Sequence, residues 1–159
     1  MEATSPTHDS PGHGDTSLNS LAVSATLHCL TGCAIGEVTG MAIGMGFGWS
    51  NLATIALAVG LAYLFGFALT ALPLVRAGLA AGVVVSTALA SDTVSITIME
   101  VIDNAFVALV PGALDAGIGD LLLWASVAGG FVLAFPFAFW ANRYLIARGR
   151  GHAVVHEYH

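Results

Sequence analysis

Four long apolar runs, separated by short polar or Gly/Pro-containing breaks, organise the chain. They cover about 21–47, 52–75, 78–110 and 121–140. Each is close to or longer than the about 20 residues a helix needs to cross roughly 30 Å of hydrocarbon. "GWSN" closes the first run, and Pro73 and Arg76 mark the end of the second. "PGALDAGIGD", opening on the stop signal Pro111-Gly112, separates the third from the fourth. The third run is too long for one straight span, so tilt or a break is expected near 90–93. The pattern predicts an all-α fold: an integral membrane four-helix bundle with short loops and both termini on the same side. It divides the chain into a disordered polar tail at 1–20, a transmembrane domain at 21–145 and a His-containing cytoplasmic tail at 146–159.

Composition strengthens this reading. The chain is 57% hydrophobic and only 9% charged, where soluble domains carry about 25% charged residues. Its partner is therefore the lipid bilayer, and no basic, aromatic-interleaved patch points to nucleic acid. The N-terminal segment is rich in Pro, Gly and Ser and lacks the basic start of a signal peptide. His8 and His13 within it are expected to be plain solvated side chains. Lysine is absent, and Arg76, Arg143, Arg148 and Arg150 fall on one side of a four-span topology. The opposite loops hold only Asp115 and Asp120. Positive-inside bias then puts both termini in the cytoplasm. Trp49, Trp124, Trp140 and Tyr144 lie near the expected span ends, where amphipathic rings favour the interface.

Two rows run along the first span at a spacing of four. Gly32, Gly36, Gly40, Gly44 and Gly48 form one. Residues four apart share a helix face, and rows of small residues let membrane helices approach closely. The partner is either another span or a second copy, so a homo-oligomer through Gly32, Gly36, Gly40 and Gly44 is one expectation. The other row is Cys29, Cys33, Glu37, Met41 and Met45, with His28 continuing the glycine row. Cβ atoms four apart on a helix are about 5–6 Å from each other, farther than the roughly 3.5–4.5 Å of a disulfide. One metal ion between the two sulfurs fits better, and thiolate, thioether and imidazole suit copper(I) or zinc. The plain alternative is that Cys and Met fill apolar space.

The third run places acids where none is expected. "LASDTVSITIMEVIDNAFVAL" contains Asp92, Glu100 and Asp103, with Ser95, Met99 and Asn104 nearby. Asp92, Met99 and Asp103 fall on broadly one helix face, within reach of Glu100. A charge at the centre of a span costs about 2.5–3.5 kcal/mol on insertion scales. With no lysine and the arginines at span ends, these acids and Glu37 must be protonated, wetted by a cavity or paired with a bound cation. Counting from the span starts, Glu37 is expected at the height of Asp92, and Met41 at that of Met99. In the C-terminal tail, His152 and His156 are four apart, the spacing of a two-point metal clamp on a helix, and His159 follows.

"LHCLTGCAIGE", "SDTVSITIMEVIDN", "VPGALDA" and "NRYLIARGRGHAVVH" resemble the hallmark segments of a bacterial family of small polytopic membrane proteins catalogued only as a domain of unknown function. The resemblance covers roughly 21–156. It implies a helical domain in a bacterial inner membrane and brings no activity. A fainter likeness is to copper uptake transporters, which use Met-xxx-Met and Gly-xxx-Gly in membrane helices. This chain departs from them in placing both motifs on one helix and in lacking a Met-rich outer tail.

The function expected from these residues is binding or transport of a soft metal cation, with copper the most plausible cofactor or cargo. The candidate ligands are His28, Cys29, Cys33, Glu37, Met41, Asp92, Met99, Glu100, Asp103, His152 and His156, and no catalytic residue is assigned. Three alternatives stand beside it: a proton-coupled small-solute transporter using the acids alone, a membrane thiol or metal redox enzyme, and a structural assembly subunit held by the glycine row.

Overall fold

The structure, a computed structural model, describes residues 12–148. It is helical throughout, with no strand among the described residues. Four long helices follow in order: α1 (Gly12–Gly46), α2 (Asn51–Arg76), α3 (Ala81–Leu109) and α4 (Leu121–Ala147), with one 3₁₀ turn, Ala113–Asp115, before α4. α1, α2 and α4 are each long and apolar enough to cross a membrane. α3 qualifies when its two halves, Ala81–Ala90 and Asp92–Leu109, are taken as one span bent by 41°. The bend falls where the sequence predicts a break. α1 begins at Gly12, so the second half of the expected polar tail is helical and carries the helix beyond its apolar stretch.

The ends of α1 and α2 have the same cause. Gly48 (φ 67°) and Gly78 (φ 79°) adopt the left-handed conformation. This lets Trp49 N–H donate to the Gly44 carbonyl at 2.8 Å and Leu79 N–H to the Leu74 carbonyl at 3.2 Å. Each helix therefore closes in a glycine C-cap that satisfies otherwise orphaned carbonyls. Ser50 then starts α2 by accepting from Ala53 N–H, a role its side-chain oxygen suits.

α1 packs chiefly on α2, and α3 on α4. The glycine row of α1 explains the first pairing. A Cβ built on Gly32 would lie 2.6 Å from Gly66 Cα; on Gly36 it would strike the Ala62 backbone; on Gly40, Ala58; and on Gly44, the Thr54 side chain. Every four residues up α1 match four residues down α2, where Thr54, Ala58, Ala62, Gly66 and Thr70 are all buried. The partner of the glycine row is thus another span of the same chain. A second copy could use this groove only by displacing α2.

The interior mixes small and polar residues with an apolar core, and much of the outside is large and apolar. Buried positions include Thr26, Glu37, Asp92, Ser95, Glu100, Asp103 and Asn142 beside Ala, Cys and Gly. Leu52 and Val132 are 79% and 75% exposed, in company with many other Leu, Val and Phe. Such an apolar surface would be a liability in water and is what hydrocarbon solvates.

The α1–α2 contact yields a direct test. Gly36→Val must push the α2 backbone away, because no flexible side chain there can yield. Thermal stability of the detergent-purified protein, read as retained monodispersity, is expected to fall by about 1–3 kcal/mol or more. Gly60→Ala, with open space around its Cβ, is expected to leave stability unchanged or raised.

Candidate functional site

The polar interior is a ladder between α1 and α3. Cys29, Cys33, Glu37 and Met41 are buried on one face of α1. Asp92, Ser95, Met99, Glu100 and Asp103 are buried on the facing side of α3. Three rungs connect them. Cys29 Sγ donates to Asp92 Oδ1 at 3.9 Å, with Ser95 alongside. Cys33 lies beside Glu100. Glu37 is in hydrogen-bond contact with Asp103. Cys29 to Glu37 is two helical turns, about 12 Å of rise.

The last rung is two carboxyl groups facing each other. Glu37 Oε1, Glu100 Oε1 and Asp103 Oδ1 are buried and meet no donor. Carboxyl oxygens can bond to each other only when a proton lies between them. Asp103 is seated against Gly130 of α4, where any Cβ would overlap its carboxyl. Asn104 tethers Glu100 by donating from Nδ2 to its Oε2 at 3.3 Å and to its backbone carbonyl at 2.9 Å.

At the α3 bend the ladder ends in a clasp. Asn142 Nδ2 of α4 is 3.0 Å from both Thr26 Oγ1 of α1 and Ser95 Oγ of α3, so one amide ties three helices. Thr26 in turn donates to the Ala22 carbonyl at 2.7 Å. At the opposite end a cavity of about 70 Å³ reaches from Glu37 and Asp103, past Met41 and Met45, to Trp49 and Asn51. The last two are exposed. A site needs only about 10–15 Å³ per water by this measure, so the cavity has room for water beside the carboxyl pair.

The expected ligands therefore separate. His28 lies on the glycine row, which faces α2, and its Nε2 meets Thr70 Oγ1 at 3.1 Å. The two cysteines face different acids. Met99 is enclosed in the apolar core, while Met41 lines the cavity. Among the described residues, no three of His, Cys, Asp and Glu come together to hold a metal ion. His152 and His156 lie outside the described residues. The height matching of the first and third spans needs correction: Glu37 meets Asp103, not Asp92. The first turns of α3 lie beyond the bend, so counting from the start of its apolar run set the helix too far along.

Asn142 and Gly130 were not singled out by the sequence reading, although a signal existed. Ser126, Gly130, Ala134, Ala138, Asn142 and Ile146 are all buried and four apart, repeating on α4 the spacing so visible on α1.

No curated protein and no solved structure matches the chain. A family match covers residues 19–151, all four helices apart from the first residues of α1. The chain belongs to the family described as domain of unknown function (DUF4396).

Proposed function

We propose that this protein is a proton-coupled membrane transporter in which Glu37 and Asp103 form the proton-binding pair. α3, bent but continuous in course, serves as a fourth span, giving a four-span bundle with both termini on one side. Arg76, Arg143 and Arg148 stand at that end, which positive-inside bias makes cytoplasmic. The cavity then faces outward.

The observation that carries this reading is the facing carboxyl pair at the foot of a water-accessible cavity, with unpartnered oxygens on both sides. Purely structural acids would be expected to close on a donor or a basic partner. Arg76 and Arg148 are instead exposed, and Arg143 is half-buried at the far end of α4, donating to Asn19 at 2.7 Å. A charge held at this depth costs a few kcal/mol, so the pair exchanges one proton with the cavity rather than ionising fully. Glu100 and Asp92 continue the succession of acids inward. The Asn142 clasp closes the inner end, so passage across the membrane requires it to open. The soft-metal reading receives less support, because its candidate ligands are dispersed over several contacts.

Infrared spectroscopy of the purified protein tests the proposal. Carboxylic C=O intensity is expected to titrate with pH, to shift in D2O because water reaches it, and to diminish in Glu37→Gln and Asp103→Asn. Bands indifferent to pH and D2O would make the acids structural and end this reading. Cys29→Ser and Cys33→Ser keep a hydrogen-bonding group at each rung and should leave the titration in place.

Gly130→Ala offers a second test. Displacement of the Asp103 carboxyl is expected to alter the same band as Asp103→Asn does. Gly129→Ala meets only the Phe106 ring, at 2.8 Å, which can swing aside; it should leave the band unchanged.

A further inference from the structure

We infer that the cavity binds a small primary or secondary amine in its ammonium form, its N–H groups on Glu37 and Asp103 and its short carbon body against Met41, Met45 and Trp49. This rests on the proton-coupled reading and names the solute class for the same site.

The demand on the ligand follows from what the site lacks. Glu37 and Asp103 are only 4% and 2% exposed and both line the cavity; each also keeps a buried oxygen, Oε1 and Oδ1, that meets no donor. The titratable groups around them are Cys33 of α1 and Glu100 of α3. α2 and α4 bring none to the cavity: α2 contributes Asn51, Thr54, Ile55 and Ala58, and α4 Leu123 and Val127. Of the amides, Asn104 is already engaged with Glu100, and Asn51 lies out at the mouth. Thr54 and Trp49 each offer one neutral donor to the cavity, so what a ligand has to bring is the positive charge, with further donors for the second acid.

The walls say what else it carries. Above the acids they are mainly thioether, indole and aliphatic carbon, which offer a hydrated inorganic ion little to bond. They suit a carbon body. The volume is about 70 Å³, near half of the roughly 150 Å³ apolar cavity that holds benzene. A body of about three or four heavy atoms fits that space.

Charge at the entrance agrees. Asp115 and Asp120 are exposed in the loop that supplies Ala113 and Leu114 to the lining. The described arginines stand at the far ends of α2 and α4. A negative rim around a low-dielectric opening concentrates cations. One ammonium entering the site replaces one proton of the carboxyl pair, so the charge of the site is conserved and the two cations compete for it.

Binding by the detergent-purified full chain tests this, with n-propylammonium as the probe and tryptophan fluorescence as the readout. Saturable quenching is expected in the wild type and not in Trp49→Phe. It should weaken by an order of magnitude or more in Glu37→Gln and in Asp103→Asn. Tetramethylammonium, which has no N–H, and 1-propanol, which has no charge, should bind much more weakly; this wild-type comparison stands even if a variant fails to fold. Equal binding of 1-propanol would reduce the cavity to an apolar pocket and overturn the inference. Silver(I) binding without amine binding would overturn it in favour of a metal cargo. No saturable binding beside intact infrared titration removes the amine and spares the proton pair, whereas loss of both removes both.

Discussion

A charge inside hydrocarbon has to be neutralised from within the protein, and this chain carries no lysine with which to do it. That constraint organises the molecule. Acids, amides and hydroxyls turn toward the helix contacts, while many of the leucines, valines and phenylalanines face outward. What would be an inverted globule in water is the low-energy arrangement in lipid, where the aliphatic surface loses nothing by exposure and each polar group gains from a partner. The rungs between α1 and α3 pair most of the sulfur and carboxyl groups. The pair at Glu37 and Asp103 sets two carboxyl groups against each other, each with a buried oxygen that meets no donor.

The small residues make the ladder available. With glycine at every fourth position, α1 lies almost backbone to backbone on α2, so its other face is free to meet α3. Gly130 does the same on α4, giving the Asp103 carboxyl room it would lose to a single methyl group. Close contact on one side and a roomier contact on the other come from residue size alone. A row repeated every four residues also drifts by about 40° per step around a 3.6-residue helix. Helices in contact along its whole length must therefore wrap around one another.

Much of this was legible in the sequence. Apolar run length locates the helices, the break near 90–93 marks the bend, and spacing at four identifies the buried rows of α1. The burial of Glu37, Asp92, Glu100 and Asp103 follows from their position within apolar runs. Register was not legible. Nothing local distinguishes Asp92 from Asp103 as the partner of Glu37, because relative height depends on a bend whose consequences are tertiary. The side on which His28 falls depended on which helix the glycines meet. The matching row on α2, from Thr54 to Thr70, held that answer but is made of alanine and threonine, which attract less notice than glycine. Asn142 was obscured by its neighbour Arg143 in what reads as a polar span end. The cavity has no sequence signal at all, being the space that side chains on four helices leave unfilled.

The acids of α3 also bear on how the protein is made. α3 carries three of them within a dozen residues, and each opposes entry into the bilayer by about 2.5–3.5 kcal/mol when met alone. Leucine and valine elsewhere in the helix return only about 0.3–0.6 kcal/mol apiece. α1 and α2 can enter the membrane as a preformed hairpin, since each is sufficiently apolar and the two fit tightly. α3, with its three acids, is the costliest of the four to insert alone. Its partition into lipid gains from the arrival of α4, or from the α1 face that shields its carboxyls, so the polar groups at the centre of the finished protein also weigh on the order of its assembly.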